Sequence, residues 1–210
     1  MGNREALLTA AKRCLLEKGY ARTTARDIAS AAGVSLAAIG YHFSSKEALL
    51  TEALLVAFDD WDKDFRRLMN DSVPTDASPR ERFESTWARL IETFETHRSL
   101  WVANMELFSQ IPRMPEIRGA LGNNLQLARS ELASLFLNKE QRAISERATQ
   151  TIGKFHHVLL SGLIMQWLID PEHGLSARDL TEALLSTAEG LQTTRKAPKS
   201  KPGTRSRRRS

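Results

Sequence analysis

The sequence predicts an all-α protein. Apolar residues recur every three or four positions along nearly the whole chain, which is the helical period, and no segment shows the two-residue alternation of a strand. Glycine and proline are sparse until the C-terminal end. Residues 24–46 have the spacing of two short helices joined by a tight turn. We therefore expect about nine helices, with a three-helix head at the N-terminus and a helical body after it.

The helix–turn–helix segment can be read position by position. Thr24 is placed to cap its first helix, and Asp27 is placed to bond back to Thr24, as in a capping box. This helix should end near residue 32, because Gly33 gives the backbone the freedom for a sharp turn. Ser35 is expected to cap the second helix, in which Ile39 faces inward. The outer face of that second helix stays free, and helix-turn-helix proteins place this face in the DNA major groove.

The run RTTARDIASAAGVSLAAIGYHFSSKEALL, together with LLTAAKRCLLEKGY upstream of it, resembles the DNA-binding signature of the TetR (tetracycline-repressor-like) family of bacterial transcriptional regulators. The resemblance implies a homodimer that binds double-stranded operator DNA, usually as a repressor, and that a small-molecule effector releases. It implies phosphate contacts at Thr24, His42 and Lys46. It implies base or groove contacts at Arg26, Leu36, Ala37, Ala38, Gly40 and Tyr41. Ser35, the expected cap, is also counted among the DNA-binding residues. For His42, packing at the helix end is an equal alternative.

The second helix departs from the commonest family pattern. Many members carry Lys, Gly or Gln, Thr and Tyr where this chain has Leu36, Ala37, Ala38 and Gly40. These residues cannot make the two-pronged hydrogen bonds that discriminate bases most strongly, although they can contact thymine methyl groups. We therefore expect Arg26 to supply the strongest base contact, to a guanine.

The body is predicted to be helical throughout. Helices are expected over residues 45–69, from Pro79, over 100–111, over 115–137, over 140–169 and from Ser176. Ser78 and Glu81 should form a capping box after a loop at 72–78, and Asp179 marks the last helix start. The helix over 115–137 is expected to be interrupted near Gly119 and Gly122.

The last two helices indicate a dimer interface. The second half of the segment 140–169 is apolar nearly all round, so one face should be buried inside the chain and the other elsewhere. In the family that the chain resembles, the last two helices of each subunit pair with those of a partner. The alternative is a core helix of a monomer. The residues expected at the interface are Leu160, Leu163, Ile164, Trp167, Leu180, Leu184 and Leu191.

The resemblance also implies an effector pocket inside the body. The candidate lining residues are Trp87, Phe94, Trp101, Met105, Phe108 and Phe155, whose aromatic and thioether side chains indicate an apolar ligand. The alternative, that each of them is ordinary core, is favoured, since aromatic and Met residues at helical spacing usually are. No catalytic residues and no cofactor are expected. A metal site is not expected either, because His156 and His157 are adjacent on a helix and point about 100° apart, so they cannot easily bind the same ion.

Charge divides the chain into three parts, predicted as a DNA-binding domain (1–48), an effector-binding and dimerisation domain (49–194) and a disordered basic tail (195–210). Residues 1–50 carry a net charge of +3, residues 51–194 carry −6, and residues 195–210 carry +8. A basic head on an acidic body suits a protein that presents one end to phosphate. The tail is expected either to add phosphate contacts or to be dispensable.

The composition is typical of a cytoplasmic protein. When bound to DNA, such a protein is expected to be associated with the nucleoid. The single cysteine, Cys14, cannot form an internal disulfide, and no apolar run is long enough to predict a membrane contact. Two other classes remain as alternatives, a non-specific architectural DNA-binding protein and an all-helical enzyme. The enzyme is disfavoured because the sequence lacks a nucleophile–base set, a metal cluster and a phosphate-binding loop.

Overall fold

The structure is a computed structural model that describes residues 2–70, 77–113 and 118–193. Its helices are α1 (Asn3–Lys18), α2 (Ala25–Ala32), α3 (Ala37–Phe43), α4 (Lys46–Asn70), α5 (Pro79–Thr96), α6 (Arg98–Gln110), α7 (Arg118–Leu137), α8 (Glu146–Ala148), α9 (Lys154–Ile169) and α10 (Ala177–Thr193). A π turn, Thr149–Gly153, joins α8 to α9, so the described residues form nine continuous α-helical segments and no strand. The predicted fold class is confirmed.

Helices α1, α2 and α3 surround one apolar core at the N-terminus. Leu7 and Leu15 of α1 and Ile28 of α2 have no exposed surface. Ile39 and Phe43 of α3 point into the same core, as their four-residue spacing predicts. The inner face of α3 is therefore held by packing, and its other face is left outside.

Side-chain caps begin three of the helices where the sequence predicts them. In each, a hydroxyl accepts a hydrogen bond from a backbone N–H three residues on, and the carboxylate at that third position bonds back. The pairs are Thr24–Asp27, Ser78–Glu81 and Ser176–Asp179. Gly33 ends α2 in the left-handed conformation, with φ of +68°, which permits the sharp turn into α3.

Helix α4 connects the head to the body. Its N-terminal half buries Leu50 and Leu54 completely against α1. Two ion pairs cross the same junction, from Arg4 to Glu52 and from Lys12 to Asp60, each at 2.6 Å. The C-terminal half of α4 continues beyond the head and forms one wall of the body.

Helices α5 and α6 form the centre of the body. Trp87, Leu90 and Phe94 of α5 and Trp101 of α6 are buried at helical spacing. Helix α10 packs on the outer side of α5, and α9 contributes Ile164 to the same core. A Trp or Phe fully buried in this way contributes about 3 kcal/mol to stability.

Two predicted helix boundaries differ from the structure. Helix α7 is continuous through Gly119 and Gly122, because an isolated glycine weakens a helix without stopping it. The helix predicted over 140–169 begins at Glu146 and contains the π turn. Gly153 in that turn lies directly against the backbone of Arg129 on α7, and the wider π turn allows this close approach.

Some predictions fall outside the described residues. Most of the loop at 72–78 and the whole tail at 195–210 lie there, as does the start of the helix predicted from residue 115. Within the described ranges, none of the helices combines the length and hydropathy that crossing a bilayer requires.

Candidate functional site

The outward face of α2 and α3 carries most of the predicted DNA-contacting residues. Arg26 is exposed and has no hydrogen-bond or ion-pair partner among residues 2–70, 77–113 and 118–193. Leu36 is 50% exposed and Tyr41 is 86% exposed. Ala37 and Gly40 lie on the same exposed face and Ala38 is half-buried. A large, unpaired and exposed cation beside an apolar helix surface can meet a base edge or a phosphate.

The N-terminus of α2 already holds a carboxylate. Asp27 Oδ2 accepts hydrogen bonds from the Thr24 hydroxyl at 2.6 Å and from the Thr24 backbone N–H at 2.9 Å. The Lys18 ammonium donates to Asp27 Oδ1 at 2.6 Å. These bonds hold the pKa of Asp27 well below its usual range, with the Lys18 bond the largest cause. A phosphate at Thr24 must therefore share this helix end with a negative charge.

The prediction that Ser35 caps α3 is wrong. The residue before α3 is Leu36, which already has helical torsions, and no side chain caps the helix. The Ser35 carbonyl accepts the N–H of Ala38 at 3.0 Å, which closes a tight first turn. The Ser35 carbonyl thus accepts the N–H three residues on, which the Ser35 hydroxyl was expected to accept.

Lys46 and His42 lie beside this surface in partly buried positions. Lys46 Nζ is 3.4 Å from the Thr23 carbonyl oxygen and 3.3 Å from a Glu47 carboxylate oxygen. The His42 ring meets the Tyr41 ring edge to face, with centroids 4.9 Å apart. Both residues are therefore near the predicted surface, with Lys46 partly neutralised by its neighbour.

A cavity of ≈ 910 Å³ lies within the body. Its walls come from α4, α6, α7 and α9, and most of its lining is apolar. Representative lining residues are Phe58, Trp61, Phe65, Trp101, Met105, Phe108, Leu125, Leu132, Leu160 and Ile164. A cavity of this size is in the range that binds small molecules, about 300–1,000 Å³.

Only part of the predicted effector pocket lines this cavity. Trp101, Met105 and Phe108 of α6 line it. Trp87 and Phe94 of α5 are at most 1% exposed, and neither is among the residues that line the cavity. Phe155 is 43% exposed on the outside of α9.

Sequence reasoning missed the α4 wall and the charged lining residues. Phe58, Trp61 and Phe65 recur at helical spacing, and that signal was available in the sequence. Arg129 and His157 could not be found in this way. They line the cavity because α7 packs against α9, and that contact cannot be read from the pattern of either helix alone.

The cavity has charged groups at two places. Arg66 on α4 pairs with Asp62 at 2.6 Å and with Glu131 of α7 at 3.4 Å. Burial raises the pKa of Glu131, and the nearby Asp62 raises it further. Elsewhere on the lining, burial lowers the pKa of His157, and the positive charge of Arg129 adds to that effect.

The predicted interface residues divide between the inside and the outside of the chain. Leu160, Leu163, Ile164 and Leu180 are each at most 8% exposed within one chain, so they leave little surface for a partner. Trp167 and Leu184 are half-buried, and Leu191 is 71% exposed. The open apolar surface of α9 and α10 is carried instead by residues that include Val158, Met165, Ile169 and Leu185.

Neither metal-binding clusters nor a reactive thiol stand out in the described ranges. No group of three or more His, Cys, Asp or Glu side chains there could hold a metal ion. Cys14 is buried in the head, and burial raises the pKa of its thiol. A buried cysteine with a raised pKa acts as a small core residue.

Two family models match separate parts of the chain. Residues 7–53 match the bacterial regulatory proteins of the tetR family, and residues 78–190 match the tetracyclin repressor-like C-terminal domain. The HTH-type transcriptional repressor KstR2 of Mycobacterium tuberculosis is 34% identical over 112 residues, covering 53% of this chain and 54% of that protein. KstR2 of Rhodococcus jostii is 35% identical over 77 residues, 37% of this chain and 38% of that one. The chain thus matches these curated relatives over about half of their length or less.

Solved structures share the fold along nearly the whole chain. A TetR transcription regulator from Haloarcula marismortui matches with a TM-score of 0.57 at 20% identity, covering 91% of this chain and 97% of that one. The multidrug binding protein EbrR, complexed with proflavin, matches with a TM-score of 0.61 at 22% identity, covering 88% and 99%. With both of its parts matched by family models, the chain belongs to the tetR family of bacterial regulatory proteins.

Proposed function

We propose that this chain is a sequence-specific DNA-binding transcriptional regulator. It acts as a repressor, binds a palindromic operator as a homodimer, and leaves the DNA when a small, mainly apolar ligand binds. Residues 1–48 bind DNA, residues 49–194 bind the effector and the second subunit, and the basic segment 195–210 is a separate tail. The protein acts in the cytoplasm, on the nucleoid.

The observation that carries this proposal is the outward face of α3 beside an unpaired Arg26. Packing fixes the inner face of α3, while Leu36 and Tyr41 remain exposed on the outer one. The names of the relatives support the same reading, since KstR2 is a transcriptional repressor. The local charge agrees, because residues 1–50 are basic and residues 51–194 are acidic.

The exposed apolar surface of α9 and α10 supports the homodimer. Val158, Met165 and Ile169 on α9 and Leu191 on α10 are each more than half exposed. Apolar surface of this extent on neighbouring helices usually marks a protein interface. A dimer also suits the task, because one recognition helix reads too few base pairs to select a site alone.

The cavity supports release by a ligand. Its volume of ≈ 910 Å³ and apolar lining suit a small molecule. EbrR, of the same fold, is a multidrug binding protein complexed with proflavin. Ligand binding in the body can shift the spacing of two heads if it favours a different arrangement of the helices.

Selection of bound sequences from a random duplex pool at moderate salt tests the DNA-binding part. We expect two inverted half-sites with centres about 34–36 Å, or a multiple of that, apart. The specific complex should survive excess random duplex. A complex that random duplex displaces completely would instead favour the architectural protein and overturn the proposal.

Replacing Arg26 by Ala tests the predicted base contact. We expect a loss of about 1–3 kcal/mol in operator binding, concentrated at one guanine in each half-site. Arg13→Ala is the matched control, because Arg13 is also an exposed arginine of the head but lies on α1. Equal weakening by R26A on every duplex would make Arg26 a phosphate contact.

A further inference from the structure

We infer that the cavity binds an elongated apolar molecule that carries one carboxylate, and that Arg129 binds this carboxylate. The inference deepens the proposed function and rests on it, because it names the chemical class of the effector. It depends on three features of the cavity: a partly buried cation without an ion pair, a second unmet hydrogen-bond donor, and acids of which three out of four already have an arginine partner.

Arg129 is the partly buried cation, whereas Arg118, which also lines the cavity without an ion pair, is exposed. The Nε of Arg129 is fully buried and has no hydrogen-bond partner among the described residues, and its Nη1 makes only a 3.5 Å contact with the Gln126 amide oxygen. No carboxylate in the described part of the chain lies within ion-pair distance of it. Arg129 as a whole is half-buried, so its guanidinium is partly withdrawn from water without an anion, and a bound carboxylate would offset the cost of that burial.

The position of Arg129 is fixed by the backbone. Gly153 in the π turn has no side chain, and the carbonyl group of Arg129 lies where a Cβ at Gly153 would be. This contact holds the middle of α7 against the start of α9, beside His157. The backbone that carries the Arg129 side chain is therefore held rigidly in the cavity wall, as is required of a residue that binds a ligand in one position.

A second donor on the lining is also unmet. Trp101 Nε1 is buried and has no acceptor among the described residues. Among the described residues that line the cavity, Trp101 and Arg129 each have a buried nitrogen without a partner, and both nitrogens, Nε1 and Nε, are donors. The ligand is therefore expected to bring acceptor oxygens rather than donor groups.

Of the four acids that line the cavity, Asp62, Glu131 and Glu140 each have an arginine partner, whereas the exposed Asp59 has none among the described residues. Arg66 bonds to Asp62 at 2.6 Å and reaches Glu131 at 3.4 Å. Burial also raises the pKa of Glu131, which favours its neutral form. A cationic ligand would have to compete with Arg66 for these groups, whereas an anion at Arg129 has no competitor in the described residues.

Binding of three ten-carbon probes tests the inference: decanoate, decanol and decyltrimethylammonium. Isothermal titration measures their affinity for the full-length chain, and the wild type should bind decanoate at least about tenfold more tightly than decanol. In R129Q the affinity for decanoate should fall by about tenfold or more, while the affinity for decanol stays the same. R129K, which keeps the charge, should retain part of the preference.

Arg118→Gln is the matched control, because Arg118 also lines the cavity but is exposed. R118Q should leave all three affinities unchanged. If R129Q does not fold, the comparison of the three probes on the wild type decides alone. Three results with the wild type would overturn the inference: equal binding of decanoate and decanol, tighter binding of decyltrimethylammonium, or no binding of any probe. An equal effect of R129Q on the affinities for decanoate and decanol would also overturn it.

Operator binding without any probe separates this inference from the proposed function. A chain that selects an operator but shows no preference for decanoate keeps its regulatory role and loses only the carboxylate site. A chain that binds decanoate through Arg129 but selects no DNA sequence keeps the site and loses the regulatory role.

Discussion

Glu106 on α6 is hydrogen-bonded to the turn between α1 and α2. Its Oε2 accepts the backbone N–H of Ala21 at 2.9 Å, across 85 positions of sequence. The neighbouring Met105 lines the cavity. A helix that touches both the cavity and the DNA-binding head is a physical route by which a ligand could bias the head.

Gly19 fits this junction because it has no side chain. Its φ of +84° and ψ of 168° lie in a region that is essentially confined to glycine. A Cβ at this position would lie 2.9 Å from Glu106 Oε2. We expect Gly19→Ala to lower the free energy of unfolding by about 1–3 kcal/mol, measured by urea denaturation.

Removal of the Glu106 carboxylate should separate the two costs of Gly19→Ala, which are the strain of the backbone at Gly19 and the overlap of the new Cβ with Glu106. Glu106→Ala alone should lower the unfolding free energy by about 1 kcal/mol, because it leaves the Ala21 N–H to water. In the double variant the overlap is absent, so G19A should cost less than it does in the wild-type background. Equal cost in both backgrounds would show that backbone strain alone acts at Gly19. Gly33→Ala is the control, since Gly33 has φ of +68° and nothing within 4 Å of an added Cβ.

The head could be predicted well because its signals are local. The Thr24–Asp27 box and the Gly33 turn depend on residues three or four apart, and both are present in the structure. Ser35 does not cap α3 with its side chain, because its own backbone carbonyl accepts the N–H of Ala38 in a tight first turn. The hydrogen-bond pattern of a helix's first turn is below what side-chain pattern alone resolves.

The body was harder because its determinants are distant in sequence. Along α9 the residues are apolar on every side, so the pattern could not tell the buried Leu160 from the exposed Val158. The contact of Gly153 with Arg129 and the contact of Glu106 with Ala21 depend on how separate helices meet. Periodicity within one helix has no information about such contacts.

Asp27 makes the head sensitive to acid. Bonds from Lys18 and Thr24 lower its pKa in the folded state, so the folded state binds this proton less readily than the unfolded chain does. The stabilisation is complete at neutral pH, begins to fall near the ordinary aspartate pKa of about 4, and continues to fall below it. Unfolding free energies measured from pH 6 downward should show a shallower acid loss in Asp27→Asn. Lys18→Gln removes the largest cause of the lowered pKa, so its acid loss of unfolding free energy should lie between those of the wild type and Asp27→Asn. Identical pH slopes in all three proteins would contradict the prediction.

Gly153 should be intolerant of any side chain. In Gly153→Ala the new Cβ would overlap the carbonyl oxygen and carbon of Arg129, which are backbone atoms and cannot move aside alone. We expect a loss of about 1–3 kcal/mol in thermal or chemical unfolding, as helices α7 and α9 are forced apart.

Gly162→Ala provides the matched control. Gly162 lies on α9, and nothing lies within 4 Å of an added Cβ. Alanine is the better helix former, so this change should raise stability by about 0.5–1 kcal/mol in the single chain. If both glycines tolerate alanine equally, the close approach of α7 to the π turn is not a feature of the protein in solution.

Charge placed on the open face of α9 should separate the two subunits of the proposed dimer. Val158 is 68% exposed and Ile169 is 79% exposed within one chain, so a glutamate at either position meets only water in a monomer. In a dimer the same glutamates would be buried against an apolar surface, which is costly without a partner charge. We expect V158E and I169E to lower the molecular mass in solution from two chains to one, measured by sedimentation velocity.

Leu137→Glu is the control for this experiment, because Leu137 is 37% exposed at the end of α7 and not on α9 or α10. It should leave the mass unchanged. The monomeric variants should also bind the selected operator more weakly than the wild type, because only one recognition helix is then held in register with the DNA. If V158E and I169E both keep the molecular mass of two chains and the full operator affinity, the interface lies elsewhere on the protein.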